Sequence, residues 1–155
     1  MAITRRSMEA DPEEVFGALL DPYMYAEWVV GAKSIRGADE HWPAVGSAFN
    51  HRIGAGEAEV KDKSEILELD SPNRIALRTF VRPFGIARVV IEAAREGDGR
   101  ARVSIFEEPE IGTRMRLLAR LVDPLIHLRN VESLRRLERV IRIRRSGASS
   151  SNPGR

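Results

Sequence analysis

The stretch from His127 to Arg145, HLRNVESLRRLERVIRIRR, is the longest helix-like run in the chain and holds seven arginines. It is either a basic helix that grips a polyanion or a packed cover whose arginines face water. Leu117, Leu118, Leu121, Leu125, Leu128, Val131, Leu134, Leu137 and Ile141 recur at three- and four-residue steps, which predicts one apolar helical face. Arg135, Arg139 and Arg142 stand at i, i+4 and i+7, off the face of Leu134, Leu137 and Ile141. The spacing therefore favours a cover with a solvated back. Asp123-Pro124 is expected to kink or restart the helix, because proline removes a backbone donor and clashes one turn back.

A cover needs an apolar surface beneath it. DEHWPAVG (39–46), IGAGEA (53–58), DSPN (70–73), RPFG (82–85) and EGDGR (96–100) are turn signals. They separate runs suited to strands at Lys33–Ala38, Ser47–Ile53, Glu57–Leu69, Arg74–Val81, Ile86–Arg95 and Ala101–Glu107. Ala101, Val103 and Ile105 alternate cleanly with Arg102 and Ser104, as a half-buried strand requires. Short connections predict an antiparallel meander with one buried face. Ahead of it, Ala2–Met8 reads as a first strand. Asp11 then reads as an N-cap, with Pro12 at the first helical position and Glu13 and Glu14 in the first turn. Asp21-Pro22 ends that helix and opens a short second one through Tyr23, Tyr25 and Trp28, closed by Gly31.

The chain has 155 residues, enough for one domain with a core and a pocket beside it. Its net charge is only +2, and three of its 25 basic residues are lysines, Lys33, Lys61 and Lys63. It has no cysteine, which excludes disulfides and Rieske-type iron–sulfur chemistry and fits the cytoplasm. No apolar run reaches the ~20 residues of a transmembrane helix, so no integral membrane segment is expected. The acidic turn after MAITRRSMEA argues against an export signal. Residues 146–155, SGASSSNPGR, read as a disordered tail after a single domain over 1–145. The sequence contains no P-loop, no dinucleotide-binding glycine motif and no nucleophile elbow. His41, His51 and His127 lack metal-ligand spacing, so neither a metal nor another cofactor is expected.

Three segments carry a family resemblance: DPEEVFGALLDPYMYAEWV (11–29) with Gly46 after it, EILELDSPNRIALRT (65–79), and RNVESLRRLERVI (129–141). With them the chain resembles the polyketide cyclase/dehydrase-like branch of the START/Bet v 1-type superfamily over residues 2–143. The resemblance implies an α+β helix-grip fold, β-α-α-β6-α, with a curved antiparallel sheet wrapped on the C-terminal helix. It also implies a cavity between that helix and the sheet's concave face. The superfamily contains lipid carriers, hormone receptors and cyclases, so the fold alone names no chemistry.

Candidate residues follow from periodicity within that frame. His51 shares a strand face with Phe49 and Ile53, and either contacts a ligand or is a core-edge histidine. His127, Asn130, Val131 and Leu134 are candidates for the cavity roof, and Ile91 and Ile105 for its floor. Trp28 stands where such folds gate the cavity, and Tyr23, Tyr25 and Trp42 lie near it. Glu107 continues the Val103–Ile105 face, where a carboxylate serves as an acid or base or ends the strand in a salt bridge. Asp62 shares parity with Val60, Ser64 and Ile66. Phe80, Arg82 and Phe84 flank a hairpin that is a candidate for the cavity mouth.

Three functions are then in play. The leading one is binding, with transport or sequestration, of a small hydrophobic or aromatic molecule by a monomer or homodimer. The alternative is a metal-free cyclase, aromatase or dehydratase using His51 or Glu107 as general acid/base. The third is a basic module for anionic lipid, nucleic acid or a protein partner, since Arg114–Arg145 holds ten arginines against three acids. Nucleic acid is disfavoured, because no exposed aromatics interleave the arginines to stack bases.

Overall fold

The computed structural model describes residues 1–55, 58–81, 85–110 and 113–150, with side chains described for 1–54, 59–80, 85–110 and 123–149. Seven strands form one antiparallel sheet: β1 (Ala2–Met8), β2 (Ala32–Ala38), β3 (Ala48–Ala55), β4 (Ala58–Asp70), β5 (Arg74–Val81), β6 (Gly85–Gly97) and β7 (Arg100–Pro109). Between β1 and β2 lie α1 (Pro12–Leu19), a 3₁₀ turn (Pro22–Met24) and α2 (Tyr25–Trp28), and α3 (Thr113–Ser150) follows β7. The architecture is the helix-grip α+β arrangement that the resemblance implies, with the antiparallel meander that the short connections predict. Sheet order is β1-β7-β6-β5-β4-β3-β2. β2 to β7 thus form the meander, and β1 closes against the last strand, Ala2 opposite Glu107 and Met8 opposite Ala101.

Local chemistry sets the element boundaries. Asp11 caps α1 through a reciprocal capping box with Glu14, and Pro12 occupies the first turn. Val15, Phe16 and Leu19 on its inner side are buried. Gly31 and Gly46 adopt φ of +92° and +87°, a backbone region glycine enters without a Cβ penalty. The bulge in β4 falls between Ile66 and Glu68, beyond Asp62 and Ser64, so the parity of those residues is kept and both are buried.

Under α3 the core contains Leu134, Leu137 and Ile141, each no more than 4% exposed, packed with Met8, Phe16, Ile75 and Val103. The long apolar face expected of this helix is shorter than the sequence implies. Leu125 and Leu128 are 68% and 65% exposed. The reason is angular: Leu125, Leu128, Val131, Leu134 and Leu137 are successive three-residue steps. Each such step turns back about 60° at 3.6 residues per turn, so a run of them walks around the helix. The face that is buried reads Asn130, Ser133, Leu134, Leu137, Ile141.

The helix is continuous through Pro124, where a kink or restart is expected from sequence. It also runs past Arg145 to Ser150, with the Ser146 and Ser149 hydroxyls donating to the Arg142 and Arg145 carbonyls at 3.1 Å. The side chains of Leu117, Leu118 and Leu121, the hairpin residues Arg82 and Phe84, and residues 151–155 lie outside the described set. Among the described residues no helix is long and apolar enough to cross a membrane.

Candidate functional site

The cleft under α2 and α3 has a volume of about 60 Å³. Its floor is apolar: Leu77 on β5, Val89 and Ile91 on β6, and Ile105 on β7. Tyr25, Trp28, Val29 and Val30 form one rim, and Arg129, Asn130 and Ser133 of α3 form the roof. Ser133 Oγ accepts the Val30 N–H at 3.1 Å, which ties rim to roof.

The cleft's charged groups form one compact cluster. Glu107 is buried, and its Oε2 accepts from Arg129 Nη2 at 2.6 Å and from Asn130 Nδ2 at 3.2 Å. Arg129 Nη2 also donates to Asn130 Oδ1 at 3.2 Å. Buried charge persists where it is paired and hydrogen-bonded, and here a strand carboxylate is matched to a helix guanidinium and its neighbouring amide. In contrast, Trp28 is 5% exposed and its Nε1 has no hydrogen-bond partner among the described residues.

Behind Tyr25 runs a second polar line across three strands. His51 Nε2 and Ser64 Oγ are hydrogen-bonded at 3.0 Å, and Ser64 Oγ and Thr79 Oγ1 at 3.2 Å. The register that sets His51 opposite Asp62 on β4 also puts Phe49 opposite Ser64. Burial pushes the Tyr25 hydroxyl up to about 12. Its ring lies 5.1 Å from His51, 4.8 Å from Phe49 and 5.7 Å from Trp28. Burial pushes the His51 imidazole down to about 4, so it is neutral at pH 7.

Of the residues singled out from sequence, Trp28, Ile91, Ile105, Glu107 and Asn130 converge on the cleft. Phe49 and His51 stand in the wall behind Tyr25 and do not line it, and Leu134 is in the core below. Val131 is half-buried outside the lining. His127 is exposed on the helix edge facing β1, where its Nδ1 lies 3.0 Å from Thr4 Oγ1 and 3.2 Å from the Ile3 carbonyl. Glu138 lies on that edge three turns later and accepts two bonds from Arg6. His127 thus clips α3 to β1. Trp42 donates from Nε1 to the Leu20 carbonyl at 2.7 Å and packs on Phe49, away from the cleft.

Tyr25, named beside Trp28 from sequence, also lines the cleft, and Thr79, Arg129 and Ser133 line it without having been sequence candidates. Thr79 is two residues from Leu77, and Ser133 is three from Asn130, so face periodicity carried a signal for both. Arg129 had none, because its pairing with Glu107 is a tertiary event. Several arginines of the opening stretch are likewise paired: Arg136 with Glu132 at 3.1 Å and Arg145 with Glu14 at 2.7 Å. Among the described residues no three His, Asp or Glu side chains converge as a metal site requires.

Comparisons with known proteins agree with this frame. A family profile described as activator of Hsp90 ATPase homolog 1-like protein matches residues 9–138. A crystal structure from Chromobacterium violaceum is similar at 26% identity and TM-score 0.68, covering 89% of this chain and 94% of that one. A second, from Nitrosomonas europaea, is similar at 15% identity and TM-score 0.70, over 93% and 95% of the two chains. A third, from Thermus thermophilus, has 21% identity and TM-score 0.65, over 97% and 99%. No curated protein matches the sequence.

Proposed function

The chain belongs to the activator of Hsp90 ATPase homolog 1-like family, within the START/Bet v 1-type superfamily it resembles, and we propose that it binds a small, largely apolar molecule in the cleft under α2 and α3. The observation that carries this reading is the combination of an aliphatic floor with a single internally balanced polar cluster at the roof. Ligand sites typically pair such a floor with a few placed polar groups. Apolar surface transferred from water to that floor contributes about 25 cal/mol per Å².

The cleft's 60 Å³ is well below the roughly 300–1,000 Å³ of sites for drug-sized ligands. A polyketide or lipid therefore enters only if the Tyr25–Val30 rim moves outward, while a single ring needs far less. Acid–base catalysis is the second reading, and it rests on Glu107, since Tyr25 screens His51 from the cleft. Glu107 already accepts from Arg129 and Asn130, which favours a structural and orienting role. The basic-module reading is weakened by the arginines held in ion pairs.

The test is native mass spectrometry of the chain purified under mild conditions, with tryptophan fluorescence followed during titration with small aromatic molecules. Co-purified ligand, or saturable quenching lost in Trp28→Phe and kept in Trp42→Phe, supports binding. Absence of both overturns it.

A further inference from the structure

Most polar groups of the described lining residues find partners inside the protein. Glu107, Arg129 and Asn130 bond one another through Glu107 Oε2, Arg129 Nη2 and the Asn130 amide. Thr79 bonds Ser64, and Ser133 accepts from Val30. Among the described residues two buried donors of the lining have no partner, Trp28 Nε1 and Arg129 Nε, and only the second sits on a group already held by Glu107, through Nη2. The other tryptophan, Trp42, has its Nε1 matched to a carbonyl, so this chain does satisfy an indole where nothing else is to bind. An indole N–H only donates, and a buried donor left unpaired is destabilising. Whatever completes the cleft must bring an acceptor.

Charge narrows the class further. Arg129 is the sole cation among the described lining residues, and Glu107, the sole anion, lies 2.6 Å from it. The pair leaves no surplus positive charge for a carboxylate or phosphate, and burying an unpaired anion is strongly unfavourable. An ammonium group is excluded by the opposite logic, since it would set donor against donor at Trp28.

We infer that the cleft selects an uncharged, one-ring-sized apolar ligand that presents an acceptor oxygen, such as a carbonyl, to the Trp28 indole N–H. This rests on the ligand-binding reading above and adds the ligand's class to it. The apolar body lies on Leu77, Val89, Ile91 and Ile105.

The experiment titrates the full chain with three molecules of similar shape: acetophenone, ethylbenzene and benzoate. Binding is followed by the ¹H–¹⁵N resonances of the two indoles, assigned with Trp28→Phe. The expected order is acetophenone tighter than ethylbenzene by roughly fivefold, the worth of one hydrogen bond, with benzoate at least about tenfold weaker than acetophenone. Acetophenone alone should move the Trp28 indole proton downfield, a readout on the unmutated chain. In Trp28→Phe the advantage of acetophenone over ethylbenzene should vanish. Benzoate binding tightest, or a ketone preference that survives Trp28→Phe, overturns the inference and leaves ligand binding standing. Failure of all three to bind overturns ligand binding in the cleft and the inference with it.

Discussion

Arg129 on α3 and Glu107 on β7 meet at 2.6 Å across the roof of the cleft, with the Glu107 side chain 9% exposed and that of Arg129 36%. The pair fixes the height of the helix above the sheet at the point where the cleft opens. Glu107→Ala strands a partly buried guanidinium and the Asn130 amide. A loss of roughly 2 kcal/mol is expected, below the 3–5 kcal/mol of fully buried pairs because Arg129 keeps some solvent. Removing both partners should recover part of it. Urea unfolding of the single and double variants checks this, and a Glu107→Ala midpoint equal to the parent's would refute the role.

The buried face of α3 separates two leucines that look alike in sequence. Leu137 is fully buried and Leu128 is 65% exposed. Leu137→Ala should cost about 3 kcal/mol through lost contacts and the cavity left behind, and Leu128→Ala within ~0.5 kcal/mol. Thermal and urea unfolding of both variants decide it. Comparable losses would mean that α3 is rotated relative to this description.

Acid should act on His51 before it acts on the carboxylates. Burial holds the folded imidazole at about 4, below the roughly 6.5 of an unfolded chain, so the unfolded state takes up the proton first. The stability of neutral His51 is complete above about pH 6.5 and falls by roughly 3 kcal/mol as pH drops toward 4. Glu14 is held below its ordinary 4.5 by the Arg145 hydrogen bond. Glu138 is held below it too: burial pulls upward, and the bonds from Arg6 and the Glu9 N–H outweigh that. Both therefore release their stability only at lower pH. Unfolding free energies between pH 4.5 and 6.5 should slope upward in the parent and flatten in His51→Gln; an equal slope in both would assign the effect elsewhere.

Tyr25 stands between the cleft, which Thr79 lines, and His51 behind it. Tyr25→Ala should widen the cleft toward His51 and admit a larger neutral dye such as Nile red, with fluorescence several-fold above the parent's. Tyr25→Phe, which keeps the ring, should not. Dye titration with circular dichroism as a folding control tests this, and equal signal from Tyr25→Ala and the parent would place the barrier at another residue.

Strand boundaries were largely legible in the sequence, because turn residues and two-residue alternation are local. The α1 cap was legible for the same reason, with Asp11, Pro12 and the two glutamates all within one turn. Glu107 could be placed on the Val103–Ile105 face from parity alone, and Asn130 beside Leu134 and Leu137 from helical spacing. His127 was beyond such reasoning: its partners, Thr4 and the Ile3 carbonyl, lie more than a hundred residues away in the chain.

By itself the sequence determined which segments become strands and helices, and which side of each strand is apolar. It did not determine that β1 closes on β7, how far α3 is rotated over the sheet, or that Arg129 neutralises Glu107. Periodicity fixes the angle of a side chain about its own element only. The angle between elements is fixed by close packing and by long-range pairing of buried charge. That is why part of the cleft's wall, Trp28, Ile91, Ile105, Glu107 and Asn130, could be read from the sequence, while its charge balance and its unpaired donors emerged only from the tertiary structure.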